Sequence, residues 1–319
     1  MATFAPFAHK QFCYDASMTR QRGTHRPTRR TTSRPSHTSR TSSRERRPLK
    51  LPAFLGALLL VACVIGLGSS FCTSEAQRAT PYASPYSWSN LQWNGDRLSY
   101  VQDGNVVSRL GIDVSDHQGA IDWSAVAQDG IDFAIIRLGN RGYTEGAIAL
   151  DETYSYNIDA AQSAGLDVGV YFFSQAITPD EAREEASFVL EHLAGRTLQM
   201  PVVFDHEPVT SASGRANDIE GDALVACTTA FCETIEAAGY DTMVYGNQQD
   251  IERITTIDGT AGAATALAQE IGERAVWFAE YDVTEPSAAF DFEIWQYTNA
   301  GVVNGIDTQV DLNIQLVAQ

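Results

Sequence analysis

Eight short apolar runs, most of them separated by helix-like segments, limit what this chain can become. They are LGIDVS at 110–115, FAIIRLG at 133–139, DVGVYFFS at 167–174 and PVVFDHE at 201–207. TMVYG at 242–246, AVWFAEY at 275–281, FEIWQYT at 292–298 and QVDLN at 309–313 complete the set. The runs near 135, 170 and 203 are almost continuously apolar, as strands covered on both faces are. Helical segments are expected over 122–129, 151–164, 179–194, 218–238 and 248–253. The third opens Thr178-Pro179-Asp180-Glu181. That is a capping residue, proline at the first helical position and glutamate three after the cap. The last strands follow one another with little helix between them. The pattern predicts an α/β fold, a TIM-like barrel of eight strands over 111–319, irregular in its final third. An open doubly wound sheet is the alternative. No glycine-rich phosphate loop follows the first strand, which counts against a nucleotide site.

Charge divides the chain before any fold is considered. Residues 1–50 carry 12 of the 22 Lys and Arg and only two acids, a net of +10. Residues 51–319 carry 10 Arg, no Lys and 38 acids, a net of −28. So acidic a body is unsuited to nucleic acid, whose phosphates need clustered Lys and Arg. Between the two lies LPAFLGALLLVACVIGLGSSFC at 51–72, uncharged and long enough to cross a bilayer as a helix. Arg44, Arg46, Arg47 and Lys50 precede it and Glu75 follows. The positive-inside rule then puts the N-terminus in the cytoplasm and the acidic body outside. The expected organisation is a disordered basic tail over 1–50, a single-pass transmembrane anchor over 51–72 and a linker over 73–95. The barrel domain follows over 96–319 and opens with a hairpin over 97–110 about Asp103-Gly104. A cleaved signal peptide, or a lipoprotein box at Leu60-Val61-Ala62-Cys63, is the competing reading of the apolar run.

The chemistry lies in acids at strand ends. In PVVFDHEP, Asp205 and Glu207 are two apart on a strand and therefore share a face. Pro208 ends the strand, so both stand at its C-terminal end, where barrel enzymes carry their sites. Two carboxyls this close cannot both ionise freely, so one should keep its proton and serve as an acid. Glycosidic cleavage requires such a pairing. Asp113 ends the first strand and Asp311 lies on the last, and in a closed barrel these strands are neighbours. Tyr171, Phe173, Tyr245, Trp277, Tyr281, Trp295 and Tyr297 gather at strand ends; core packing is the default for any one of them, and several together beside carboxylates make stacking surfaces for sugar rings. His206 alternates away from the acids, which makes it a packing or outer hydrogen-bonding residue.

Other chemistries find little support. Residues 51–319 contain three His (117, 192 and 206) and no H-x-x-x-H pair, so no zinc site is expected. There is no G-x-S-x-G. Cys227 and Cys232, five apart, fall on different sides of one helix and read as small core residues. No metal or cofactor is expected.

GIDVSDHQGAIDW, DFAIIRLG, GLDVGVYFFSQA, PVVFDHE and WQYTNAGVVNGIDTQVDLN together resemble glycoside hydrolase family 25, the Chalaropsis-type lysozymes, over about 105–319. The resemblance implies a (β/α)5(β)3 barrel that cleaves the β-1,4 bond between N-acetylmuramic acid and N-acetylglucosamine. It implies Glu207 as general acid, Asp205 as partner of the substrate acetamido group, and Asp113 and Asp311 as supporting acids. Peptidoglycan strands are the implied partner. Many members carry His-Trp-Gln-Gly after the first strand. Here Asp116-His117-Gln118-Gly119 stands there, which makes His117 a substitute for an aromatic sugar contact. The resemblance leaves direct inversion and acetamido-assisted retention open. An inactive wall-glycan-binding scaffold and a glycosidase acting on another N-acetylated glycan are the remaining alternatives.

Overall fold

The computed structural model describes residues 80–316, so the expected tail over 1–50 and apolar segment over 51–72 lie outside the described residues. Among the described residues no helix is long and apolar enough to cross a membrane. A 3-10 turn at Trp88–Asn90 leads into β1 (Leu91–Asn94), β2 (Arg97–Gln102) and β3 (Asn105–Val106), a small antiparallel sheet. There follow β4 (Ser108–Val114), α1 (Trp123–Gln128), β5 (Phe133–Arg141), β6 (Ile148–Leu150), α2 (Tyr154–Ser163) and β7 (Asp167–Phe173). Next come α3 (Pro179–Leu193), β8 (Val202–Asp205), α4 (Gly221–Ala237), β9 (Thr242–Asn247), α5 (Gln248–Ile254) and α6 (Ala261–Glu270). The chain closes with β10 (Ala275–Ala279), β11 (Ile294–Gly301) and β12 (Val310–Leu316).

All eight apolar runs become barrel strands. Pairing runs β4-β12-β11-β10-β9-β8-β7-β5, and β4 also pairs with β5, which closes the ring. Neighbours from β4 to β11 are parallel, whereas β12 runs antiparallel to both β11 and β4. The open-sheet alternative is thereby excluded. The helices cover the outside and fill the space between themselves and the sheet with the larger apolar core. The barrel floor is a separate cluster of Phe133, Ile135, Met200, Val203, Met243, Trp277 and Ile294. Gly111 is needed there, because a Cβ would fall 2.2 Å from the Phe133 ring.

Local signals act as their chemistry dictates. The Thr178 hydroxyl accepts from the Glu181 N–H at 3.2 Å and caps α3. Asp122 accepts from Ser124 and Ala125 and caps α1. The turn at Asp103-Gly104 forms, with φ of 50° and 79°. The second arm of the expected hairpin over 97–110 is divided, however. Residues 105–106 pair with β2, and Ser108 to Leu110 instead pair with Leu316, Gln315 and Ile314 of the barrel. The Ser, Pro and Ala content of 73–95 reads as linker, and residues 80–95 of it are described. They lie against the barrel, with Pro81 bridged to Thr260 and Trp88 stacked on Phe292 at 6.0 Å. Their aromatic residues supply an apolar anchor that the small polar residues disguise. Helix α6 was not expected; its Ala- and Gly-rich stretch gave no apolar stripe.

Candidate active site

The acids converge on the C-terminal rim of the barrel. Asp113 is the penultimate residue of β4, and antiparallel pairing puts Asp311, the second residue of β12, in register with it. Asp205 ends β8, and Glu207 follows two residues later on the same face. Asp205 is buried and Glu207 half-buried. A fifth carboxyl, Asp250, arrives from the first turn of α5.

Burial and the repulsion between neighbouring carboxyls set the electrostatics. Glu207 is pushed up to about 8, first by burial and then by the charge of Asp250. Asp205 is raised well above the ordinary carboxyl range by burial and then by Glu207. Asp311 is raised strongly by burial and then by Asp113. Asp113 rises only to about 6, because Asn313 and Gln296 oppose the effect of burial. The Nε2 of Gln296 and the Nδ2 of Asn313 both donate to Asp113 Oδ2, each at 2.8 Å. Gln296 is itself fixed, since its Oε1 accepts from Tyr245 at 2.8 Å and from the Tyr281 hydroxyl. Asn313 is fixed by the Trp277 indole N–H at 2.7 Å. Asp113 is thus the member of the cluster arranged to hold negative charge. Asp205 and Glu207 stand side by side, and each carboxyl bears on the proton affinity of the other. Asp205 Oδ1 is left buried without a partner. Such an acceptor is costly unless a ligand supplies the donor.

The aromatic residues divide by strand alternation. Tyr171, Tyr245 and Tyr281 are part-exposed, and Tyr171 and Tyr245 pack edge-on against Trp277 inside the barrel. Phe173 is buried, registered beside Asp205 on the neighbouring strand. His117 is half-exposed on the rim, in a turn capped by Ser115 and Gln118. Three expected contacts need correction. Trp277 is fully buried in the barrel floor, where it braces Asn313 and offers no open face. Trp295 and Tyr297 flank the inward-facing Gln296 and therefore point outwards. Both are buried, with Trp295 donating to the Glu280 carbonyl at 2.9 Å and Tyr297 to the Asp96 carbonyl at 3.0 Å.

Gln296, Asn313 and Asp250 were missed in the sequence. Strict alternation about Gln296 would have found it and removed its two aromatic neighbours together. Asn313 stands two from Asp311. Asp250 announces itself only as the end of an Asn-x-x-Asp capping box with Asn247. Arg137 carries no signal in the sequence either: its Nε donates to Asp151 and its Nη2 to Asp116. Among the described residues no set of His, Cys, Asp and Glu side chains is placed to hold a metal ion.

Clustered carboxyls at the C-terminal rim of a closed barrel, beside part-exposed tyrosines, define the layout of a barrel glycosidase. The model of the family described as glycosyl hydrolases family 25 matches residues 112–306, and the chain belongs to that family. It is 27% identical over 203 residues to an autolytic lysozyme of Clostridium acetobutylicum, covering 64% of this chain and 54% of that protein. It is 26% identical over 211 residues to lysozyme M1 of Streptomyces globisporus, covering 64% of this chain and 66% of that one. The chain thus spans between half and two thirds of the length of these relatives. The modular autolysin LytC of Streptococcus pneumoniae, solved with a synthetic peptidoglycan ligand, shares the fold. Its TM-score is 0.56 at 22% identity, covering 70% of this chain and 52% of that one.

Proposed function

We propose that this protein is a peptidoglycan hydrolase cleaving the β-1,4 bond between N-acetylmuramic acid and N-acetylglucosamine. The observation that carries the reading is Glu207, a carboxyl kept protonated to about 8, beside Asp205, whose Oδ1 lacks a partner. Glu207 donates its proton to the glycosidic oxygen, a step worth roughly a hundred- to ten-thousand-fold in rate. Asp205 accepts the N–H of the substrate acetamido group and steadies its carbonyl oxygen for attack on the anomeric carbon. Retention by substrate assistance follows, an exception to the rule that reads stereochemistry from carboxylate separation. Asp113, with two amide donors on one oxygen, places negative charge near the developing oxocarbenium ion. Tyr171, Tyr245, Tyr281, Phe173 and His117 are the proposed sugar contacts. The lysozyme names of these two curated relatives support the substrate class. The apolar segment 51–72 is proposed to anchor the chain in a membrane, with the barrel facing the cell wall. Resistance of the chain to alkaline carbonate extraction from membranes tests that placement.

The test uses the full chain, purified in mild detergent, on isolated peptidoglycan, with wild type beside Glu207→Gln. Released fragments are reduced with borohydride and identified by mass. Muramitol ends from wild type and not from the variant are the expected result. Glucosaminitol ends would move the cleaved bond. Glycan binding without release from either protein would make the barrel a scaffold.

A further inference from the structure

The acidic strand end is gripped from its outer side by one cation. His206 alternates away from Asp205 and Glu207 and is buried behind them. Its ring Nε2 lies 3.0 Å from the Ala176 carbonyl, which accepts only a donor, so the hydrogen sits on Nε2. Nδ1 is then an acceptor, and Arg253 Nη2 lies 3.3 Å from it. Arg253 Nη1 donates to the His206 carbonyl at 3.0 Å. The rest of the guanidinium donates to the carbonyls of Ile219, at 2.8 Å and 3.2 Å, and of Ala216, at 3.4 Å. One planar fork thus ties α5 to the residue between the two carboxyls and to the loop after it. From the β7 side, Gln175 Nε2 donates to the Glu207 carbonyl at 2.7 Å.

Asp250 stands one helical turn before Arg253, with 3.6 Å between Oδ1 and Nη1. Its Oδ2 accepts from the Asn247 N–H at 3.1 Å, which fixes it to the end of β9. A Cβ on Gly246 would lie 2.8 Å from the Asp250 Cβ, so this close approach needs glycine. The two charges act on Glu207 in opposite directions: Asp250 repels its carboxylate and Arg253 attracts it. The other groups facing Glu207 are Asp205 of its own strand, Asp113 of β4, Tyr245 of β9 and Tyr281 after β10. Asp311 of β12 completes them, and Arg253 is the cation that bears on Glu207.

We propose that Arg253 and Asp250 form a positioning pair for the acidic strand end. Arg253 holds His206 so that both flanking carboxyls face the barrel, and the pair fixes two opposed charges behind the residue next to Glu207. The inference deepens the reading of Glu207 as general acid, and only its kinetic arm rests on that reading.

The test is a carboxyl titration that needs no turnover. The full chain in mild detergent is labelled with [δ-13C]glutamate, and the Glu207 resonance is assigned by its loss in Glu207→Gln. Its midpoint is followed by NMR in wild type, Arg253→Gln, Arg253→Lys and Asp250→Asn. The midpoint should rise by about one pH unit in Arg253→Gln and fall by about one in Asp250→Asn. In Arg253→Lys, which keeps the charge and loses the fork, it should stay near wild type. The kinetic arm should show kcat of Arg253→Lys lowered about tenfold with KM unchanged, since an ammonium cannot hold several carbonyls in one plane. A Glu207 midpoint equal to wild type in both Arg253→Gln and Asp250→Asn overturns the pair. If Arg253→Gln does not fold, the direction of the Asp250→Asn shift decides alone. Opposed midpoint shifts in a protein that releases no muramitol ends would sustain the pair and remove the muramidase reading.

Discussion

Replacing Glu207 by Gln should make the protein more stable in alkali, although it removes the proposed catalytic acid. The reason lies in where the proton sits. An unfolded glutamate titrates near 4.5, whereas Glu207 in the fold holds its proton to about 8, chiefly because it is buried. Below about pH 4.5 both states are protonated and the group contributes nothing to the pH dependence. Between about 4.5 and 8 the folded state keeps a proton that the unfolded state has lost, so stability falls as pH rises. Above about 8 the full cost is present, with an upper bound of about 5 kcal/mol at roughly 1.4 kcal/mol for each tenfold step in proton affinity. Sharing of the proton with Asp205, and water at the half-buried side, reduce this to about 2 kcal/mol. Urea unfolding of wild type and Glu207→Gln at pH 5 and pH 9 measures it. The variant should gain about 2 kcal/mol on wild type between the two pH values. An equal difference at both pH values, or a variant that loses ground at pH 9, would refute the argument that burial raises Glu207.

Arg137→Met leaves Asp151 buried beside a methyl group in place of a guanidinium. Urea unfolding at pH 7 should register a loss of about 3–5 kcal/mol. Trp295→Ala should cost a similar amount by opening a cavity outside the barrel. Its KM for glycan, measured well below the melting temperature, should stay within about threefold of wild type, whereas a sugar-stacking residue would lose more. Gly246→Ala pushes a methyl towards the Asp250 Cβ, which is 2.8 Å away. It should cost about 1–3 kcal/mol in a thermal melt and lower kcat as α5 shifts.

Strand periodicity made half of the site readable. Asp205 and Glu207 share a face because strands alternate, and Pro208 stops the strand just beyond them. The same rule, applied between Trp295 and Tyr297, would have turned both outwards, but aromatic content there outweighed position. Trp277 does face inwards, yet depth in the barrel decides whether a ring is floor or wall, and a sequence carries no depth. Asp250 was hidden because a helix-capping aspartate and a cleft carboxylate look alike until α5 is packed against β9. The residues before β1 were read from composition, and composition averages away the few aromatics that dock them.

The sequence alone determines the eight strands, their order along the chain, the capped α3, and the pairing of Asp205 with Glu207, since each rests on contacts between near neighbours. Ring closure is a tertiary matter. The β4–β5 contact joins the ring, and reversal of β12 puts Asp311 at the start of its strand on the same rim as Asp113 at the end of its own. Only then do five carboxyls share one poorly solvated space, and only there does Glu207 acquire a proton affinity fit for an acid at neutral pH. Burial and long-range charge produce that shift, and both are properties of the packed structure.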